Sequence, residues 1–176
     1  MRMRQAIGVL AGVTLGLAAV VTTGAQGRVS PHETTSATID GAKVGIEYGR
    51  PYMKGRKIFG GLVPYGQVWR TGADEATTLT TDKPLQFGAV TVPAGKVTLW
   101  TLPGEKDWKL AINKQTGQWG TDYDQKQDLA RVDMKVDKTA QPVEQLTIAI
   151  EPNAGGGVIK VTWADTQASI PFTVKK

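Results

Sequence analysis

Cationic side chains are concentrated in one stretch of the chain, residues 49–76, and they are the groups best suited to hold a ligand. The four cations that matter here are Arg50, Lys54, Arg56 and Arg70. An arginine guanidinium presents a planar fork of donors that matches a carboxylate, phosphate or sulfated group. Trp69 stands next to Arg70, and Trp100 and Trp119 could add further aromatic surface for a sugar. The stretch therefore predicts a site for a small polar or anionic ligand, or for a saccharide.

The same charges also allow a structural interpretation. Arg50 continues the alternation of Val44, Ile46 and Tyr48, so it should point toward the packed face as its strand ends. Glu75 is another candidate site residue. It has the same parity as Leu79 in the strand that follows, so the two side chains should point to the same face. A charge close to a core must be paired, because an isolated buried charge is very costly. An Arg–Glu ion pair that pins the loop, for example between Arg70 and Glu75, is the alternative to a ligand site.

Enzymatic chemistry has few suitable residues in this chain. His32 is the only histidine, cysteine is absent, and none of the three serines lies in a nucleophile-elbow motif. A zinc site and a Ser-His-Asp hydrolase are therefore not expected. A phosphate-binding P-loop is not expected either, because the sequence has no Gly-x-x-x-x-Gly-Lys-Ser/Thr motif. A hydrolase or lyase based on Asp74 and Glu75, with Arg70 as electrostatic stabiliser, stays open as an alternative. Adjacent residues on a strand point apart, which weighs against pairing these two carboxylates.

An acidic stretch later in the chain raises the question of calcium. Its three carboxylates are Asp122, Asp124 and Asp128. Lys126 interrupts them, and the stretch lacks the central Gly and closing Glu of an EF-hand loop. We interpret it as a solvated loop between strands, and we expect no metal and no other cofactor.

The elements that must position the candidate site are β-strands. Apolar residues alternate with polar ones in six segments: 44–48, 108–112, 132–136, 146–150, 159–163 and 168–174. No window has a sustained helical period, and 21 glycines with 9 prolines suit tight turns. One apolar face per strand predicts a single antiparallel β-sandwich, jelly-roll-like, with its core between two sheets.

Residues 49–76 interrupt this alternation. Six glycines discourage a helix, yet Ile58, Phe59, Val63 and Trp69 make the segment too apolar for a disordered linker. Such a composition is typical of a long ordered loop packed by its own side chains, and loops of this kind are often functional.

The same loop carries a resemblance to a known family. The matching segments are KGRKIFGGLVPYG at 54–66, VWRTGA at 68–73, and shorter runs at 50–51, 75–77, 92–95, 102–105, 113–114 and 119–120. Together they resemble Domain of Unknown Function family 2911, over essentially the whole domain. Asp74 departs from the Asn that is more usual at this position. The resemblance implies an exported bacterial β-protein, and it implies no activity.

The N-terminus predicts export. A cationic start at residues 1–4 precedes an uncharged apolar stretch at 6–21, and small residues follow up to Ala25. We therefore expect a signal-peptide helix over 1–25, a flexible lead-in over 26–35 that includes a solvated His32, and one domain over 36–176. The mature protein should have no membrane span and should be periplasmic or extracellular.

The overall prediction is an exported, non-catalytic module that binds a small polar or anionic ligand, or a saccharide, beside the 49–76 loop. The net charge of +5 is modest and mixed in sign, so nucleic acid is not an expected partner. A carboxylate-dependent hydrolase or lyase is one alternative. A structural or envelope-interaction protein without a small ligand is the other, and protein partners cannot be named.

Overall fold

The structure is a computed structural model, and it describes residues 27–176. The predicted signal peptide, its helix and the cleavage position near Ala25 lie outside the described residues. Strands dominate the described chain, and its only helical segment is a short 3₁₀ turn at Gln125–Gln127. None of the described residues forms a helix long and apolar enough to cross a membrane.

Nine strands make up the described domain. They are β1 (His32–Ile39), β2 (Ala42–Gly49), β3 (Thr78–Thr81), β4 (Leu85–Phe87), β5 (Val90–Val92), β6 (Gly95–Leu102), β7 (Trp108–Asn113), β8 (Asp128–Asn153) and β9 (Gly156–Val174). All neighbouring pairs are antiparallel, in the order β1-β2-β3-β6-β7-β8-β9-β4-β5. The prediction of an all-β antiparallel fold is thus confirmed. The strands form one open sheet, and the two separate sheets of a jelly-roll-like sandwich stay a prediction.

Alternating burial explains why these segments are strands. In β2 the side chains of Val44, Ile46 and Tyr48 are buried, whereas Lys43 and Glu47 are exposed. Strands β7 and β9 bury large aromatic side chains in the same way, and most buried residues belong to one continuous core. Its largest fully buried members include Trp108, Trp163, Tyr48, Phe87 and Phe172. One apolar side of the sheet therefore encloses the core.

Strand β8 curves the sheet back toward β2. Its pairing with β9 shifts register twice, between Lys138 and Val143 and between Val143 and Thr147. Beyond these shifts its second half meets the end of β2, where the Tyr48 hydroxyl accepts from the Ile148 N–H at 2.9 Å. The chain just after β2 extends this contact, because the Met53 N–H donates to the Glu144 carbonyl at 2.7 Å and the Leu146 N–H to the Pro51 carbonyl at 3.0 Å. These bonds anchor the start of the long loop on β8.

The expected flexible lead-in over 26–35 needs a correction. Strand β1 begins at His32, which pairs with Gly49, so residues 32–35 belong to the sheet. The His32 side chain is only 14% exposed, and it is not the solvated group that we expected. The sequence pattern is weak here because β1 is an edge strand in which most side chains are polar, leaving little contrast between its two faces.

Candidate functional site

The loop between β2 and β3 is ordered by its own apolar side chains, as the sequence predicted. Ile58, Phe59 and Val63 are buried in the main core. The Val63 N–H donates to the Ile58 carbonyl at 2.9 Å, and the Gly60 N–H donates to the Val63 carbonyl at 2.9 Å. The loop is therefore a packed structure, able to hold side chains in fixed positions.

The second half of the loop is fastened to β6. Trp69 and Thr101 exchange backbone hydrogen bonds of 2.8 and 2.9 Å. Thr71 then has a left-handed φ of 56°, and Asp74 has a left-handed φ of 64°. The Thr71 hydroxyl donates to the Thr101 hydroxyl at 3.1 Å, and the Thr77 hydroxyl donates to the Thr71 carbonyl at 3.0 Å. Left-handed conformations at residues other than glycine are costly and are often found at functional sites.

A cleft of about 520 Å³ opens beside this strained turn. We call it the Arg70 cleft. Its charged lining residues are Lys54, Arg56, Arg70 and Asp74, and its aromatic ones are Tyr52, Trp69 and Trp163. The chain that precedes β1, residues 29–31, forms one of its walls. Of the six residues predicted as ligand-binding, the structure thus brings four to one cleft, which are Lys54, Arg56, Trp69 and Arg70.

Trp69 supplies a rigid surface in this cleft. Its ring stacks on that of Trp163 with centroids 5.9 Å apart and planes 18° from parallel. Phe59 contacts the same ring edge-on at 5.9 Å. The Trp163 Nε1–H donates to the Glu144 carbonyl at 3.2 Å, which fixes the second ring in turn. Because these contacts hold Trp69 in place, a ligand would meet a surface that is already formed.

Arg70 is a partly buried cation without a counter-charge in the described chain. Its Nη1 lies at the long distance of 3.4 Å from the Gly120 carbonyl, and its Nε is buried with no hydrogen-bond partner among residues 27–176. Gly120 allows this position, because a Cβ there would stand 2.0 Å from the Arg70 Cδ. An unpaired donor in a buried position costs free energy, so this guanidinium lacks a partner that it needs.

Asp74 also lies on the cleft, but it has partners of its own. Its carboxylate accepts from the backbone N–H of Ser30 at 3.1 Å and of Val29 at 3.2 Å, and it lies 3.2 Å from the Nε2 of His32. Burial alone would raise the pKa of Asp74, but the hydrogen bonds from Ser30, Val29 and His32 outweigh it and lower that pKa. The charge of Asp74 therefore holds residues 28–31, which we call the N-terminal strap, against the loop.

Glu75 does not lie in the Arg70 cleft. Its carboxylate accepts from the Arg28 Nε at 2.9 Å and lies 3.4 Å from the His32 Nε2. Burial opposes its ionisation, but the Arg28 guanidinium more than compensates and lowers the pKa of Glu75. It lines a separate cleft of about 300 Å³ with Arg28, His32 and Glu47. The alternative ion pair between Arg70 and Glu75 is therefore not formed.

Arg50 lies outside both clefts and fastens β2 to β8. It donates from Nε to the Leu146 carbonyl and from Nη2 to the Thr147 hydroxyl, both at 3.0 Å, and it pairs with Glu33. Each of its three guanidinium nitrogens thus has a partner within the protein.

Arg56 and Lys54 do lie on the Arg70 cleft, with exposed side chains. Arg56 donates to the carbonyls of Met53 at 2.9 Å and Tyr52 at 2.6 Å, which fixes its guanidinium on the loop. The backbone N–H of Lys54 donates to the Glu144 carboxylate at 2.9 Å.

The remaining candidates have structural surroundings. Trp100 is 2% exposed and packs against Tyr123, and Trp119 bridges through its backbone to Glu75. Asp124 caps the 3₁₀ turn, and Asp128 accepts from Asn113, Tyr123 and Arg131. Among residues 27–176, no group of three or more His, Asp or Glu side chains is placed to hold a metal ion.

Sequence reasoning missed the N-terminal strap and with it the roles of Arg28 and His32. The strap contacts residues 44 to 47 positions away in the chain, at Asp74 and Glu75. No local pattern reports a contact over that distance. The nearest available signal is that the only histidine of the chain, His32, follows Arg28 by four positions.

Comparison with known proteins gives a family and no activity. The family described as "Protein of unknown function (DUF2911)" matches residues 30–172, so this chain belongs to it. The match extends from the N-terminal strap to β9 and includes the entire loop. No curated protein and no solved structure matches the chain.

Proposed function

We propose that this protein is an exported, non-catalytic module that binds a small anionic ligand or an acidic saccharide in the Arg70 cleft. One observation carries the proposal: the cleft presents a partly buried guanidinium that no described carboxylate neutralises. A bound anion would provide the missing counter-charge.

The form of the cleft supports this proposal. Its volume of about 520 Å³ is within the range of ~300–1,000 Å³ that small-molecule sites occupy. Trp69 contributes a fixed aromatic wall, and Lys54 and Arg56 add positive charge near the opening. Positive potential in a cleft with apolar walls raises the local concentration of anions and speeds their association.

The alternative of a carboxylate-dependent hydrolase or lyase has less support. Its two candidate carboxylates line different clefts, Asp74 in the Arg70 cleft and Glu75 in the smaller one. Asp74 is engaged by the strap, and Glu75 by Arg28. A glycosidase needs two carboxyl groups that face each other across the bond to be cleaved.

Export is part of the proposal and rests on the N-terminal residues. The cationic start, the uncharged stretch 6–21 and the small residues before Gln26 follow the order of a secretory signal. Intact-mass measurement of the protein recovered outside the cytoplasm tests it. We expect a mass that begins near Gln26, and a mass that still includes residues 1–21 would refute cleavage.

A thermal-shift screen tests ligand binding. The purified protein is melted with panels of neutral sugars, sugar acids, sugar phosphates, sulfated sugars and small carboxylates. A ligand that binds only the folded form raises Tm, by about 5–10 °C at 100 times its Kd for a domain of this size. We expect anionic compounds to raise Tm, and we expect Arg70→Met to lose that response.

The control is Lys106→Met, which removes an exposed cation in the turn between β6 and β7, away from both clefts. This variant should respond to the same compounds as the wild type does. If no anion raises Tm, or if Arg70→Met responds as strongly as the wild type, the proposed function is wrong.

A further inference from the structure

We infer that the Arg70 cleft is shaped for a ring-bearing monocarboxylate of the uronic acid type, and not for a phosphate or sulfate ester. This inference rests on the proposed function, since it assigns a ligand class to the same cleft. Three features of the cleft lead to it: the number of available cations, the geometry of the one that is partly buried, and the mixture of apolar and polar walls.

The charge balance favours a single negative charge. Arg70 is the partly buried cation of this cleft, whereas Lys54 and Arg56 are exposed. The buried carboxylate of Asp74 lines the same cleft and repels an anion bound there. The one partly buried guanidinium carries a single positive charge, which a single carboxylate neutralises.

The geometry of the donors favours a planar head group. A guanidinium offers two parallel N–H bonds in one plane, which fit the two oxygens of a carboxylate. The third terminal oxygen of a phosphate or sulfate ester needs a donor from another direction. Two of the three guanidinium nitrogens of Arg56, Nε and Nη2, already donate to the carbonyls of Met53 and Tyr52.

The walls favour a pyranose ring as the body of the ligand. Trp69, Val68 and Leu62 give apolar surface, and Leu62 is 48% exposed. Gln67 and Ser30 bring hydrogen-bonding side chains to the same cleft. A pyranose has apolar C–H faces that lie on an aromatic ring and a rim of hydroxyl groups that take hydrogen bonds. A purely apolar acid would use only the first set of walls.

A series of probes that differ only at C6 of one sugar tests the inference. Glucose, glucuronate, glucose 6-phosphate and glucose 6-sulfate share the ring and differ in head group, and benzoate keeps the carboxylate without the hydroxyls. We expect glucuronate to raise the Tm of the purified protein by about 5–10 °C at 100 times its Kd. Glucose should give no shift at the same concentration, and the two esters and benzoate should bind at least tenfold more weakly.

Variants of Arg70 test the geometry of the contact. Arg70→Met should abolish the response to glucuronate. Arg70→Lys keeps the charge and loses the planar fork, and it should weaken glucuronate binding at least tenfold. Lys106→Met is the matched control and should bind as the wild type does.

The outcomes separate this inference from the proposed function. If an ester binds as tightly as glucuronate, or if Arg70→Lys retains full affinity, a planar carboxylate is not the preferred head group and the inference is wrong, although anion binding stands. If benzoate binds as tightly as glucuronate, the pyranose body is wrong. If neither these probes nor the wider anion panel bind, the inference and the proposed function fail together.

Discussion

The hydrogen bonds of Asp74 make a quantitative prediction for Asp74→Asn. The substitution removes the charge and keeps a residue that tolerates the φ of 64° found here, so backbone strain does not confound the result. The backbone N–H groups of Ser30 and Val29 in the strap then donate to a neutral amide oxygen instead of a charged carboxylate. Hydrogen bonds to charged groups contribute ~1.5–3 kcal/mol and neutral ones ~0.5–1.5 kcal/mol. We expect a loss of about 1–3 kcal/mol in the free energy of unfolding at pH 7.

The pH dependence of that loss tests its electrostatic origin. The pKa of Asp74 is lower in the folded protein than in the unfolded chain, so its ionised form stabilises the fold. This contribution is fully present above the ordinary Asp pKa of ~3.9 and is lost as pH falls through the lowered folded value. The difference between wild type and Asp74→Asn should therefore shrink as pH falls below about 4.

Urea denaturation followed by tryptophan fluorescence measures this difference at each pH. Amide hydrogen exchange at Val29 and Ser30 provides a local readout, and both amides should exchange faster in Asp74→Asn than in the wild type. Equal stability of the two proteins at pH 7 would refute the reasoning. So would a loss that stays the same down to pH 2–3, since the contribution of a carboxylate with a lowered folded pKa must shrink below its ordinary pKa of ~3.9.

Three further predictions concern the packing and the hydrogen bonds of the domain. Gly120→Ala places a Cβ 2.0 Å from the Arg70 side chain and 2.5 Å from the backbone carbonyl of Asp74. Urea denaturation should therefore show a loss of at least about 2 kcal/mol in the free energy of unfolding, and wild-type stability would contradict the packing. Arg50→Met removes donors that join β2 to β8, and urea denaturation should show a loss of about 2 kcal/mol in the free energy of unfolding. Ligand-induced Tm shifts should not change, and a lost ligand response would place Arg50 in the binding site. Burial and the hydrogen bond to a nearby aspartate raise the pKa of Tyr123 to about 12, so its protonated form stabilises the fold below pH ~10 and this is lost as pH rises through 12. An ultraviolet titration should therefore show a step near pH 12 that Tyr123→Phe lacks, and an unchanged titration would contradict it.

The alternation of side chains predicted the strands well because each strand buries one face. It also predicted that Arg50 continues the inward face of β2, and the structure places its guanidinium against β8. The alternation in 132–136 and 146–150 predicts two separate strands, but both segments belong to the single strand β8. Two register shifts between Lys138 and Thr147 interrupt the alternation without ending the strand, and a local pattern cannot distinguish the two cases.

The candidate site was predictable in part, from residue types and not from side-chain alternation. Residue types identified Lys54, Arg56, Trp69 and Arg70, because lysine and arginine carry the positive charge that attracts anions and tryptophan offers a stacking surface. The partner of each charge was not predictable, since it depends on which distant segment packs beside the loop. Glu75 pairs with Arg28, which is 47 positions away, and Arg70 is left without a carboxylate in the described chain.

The stability of Arg70→Met, measured with and without the best anion from the screen, tests the central claim most directly. If Arg70 lacks a counter-charge in the protein, removing it should leave the free energy of unfolding at pH 7 unchanged or slightly higher, because an unpaired and partly buried donor is lost. The same variant should lose the stabilisation that the anion gives to the wild type. A loss of about 3–5 kcal/mol in the absence of any anion, the cost of breaking a buried ion pair, would contradict the account and show that Arg70 has a structural partner.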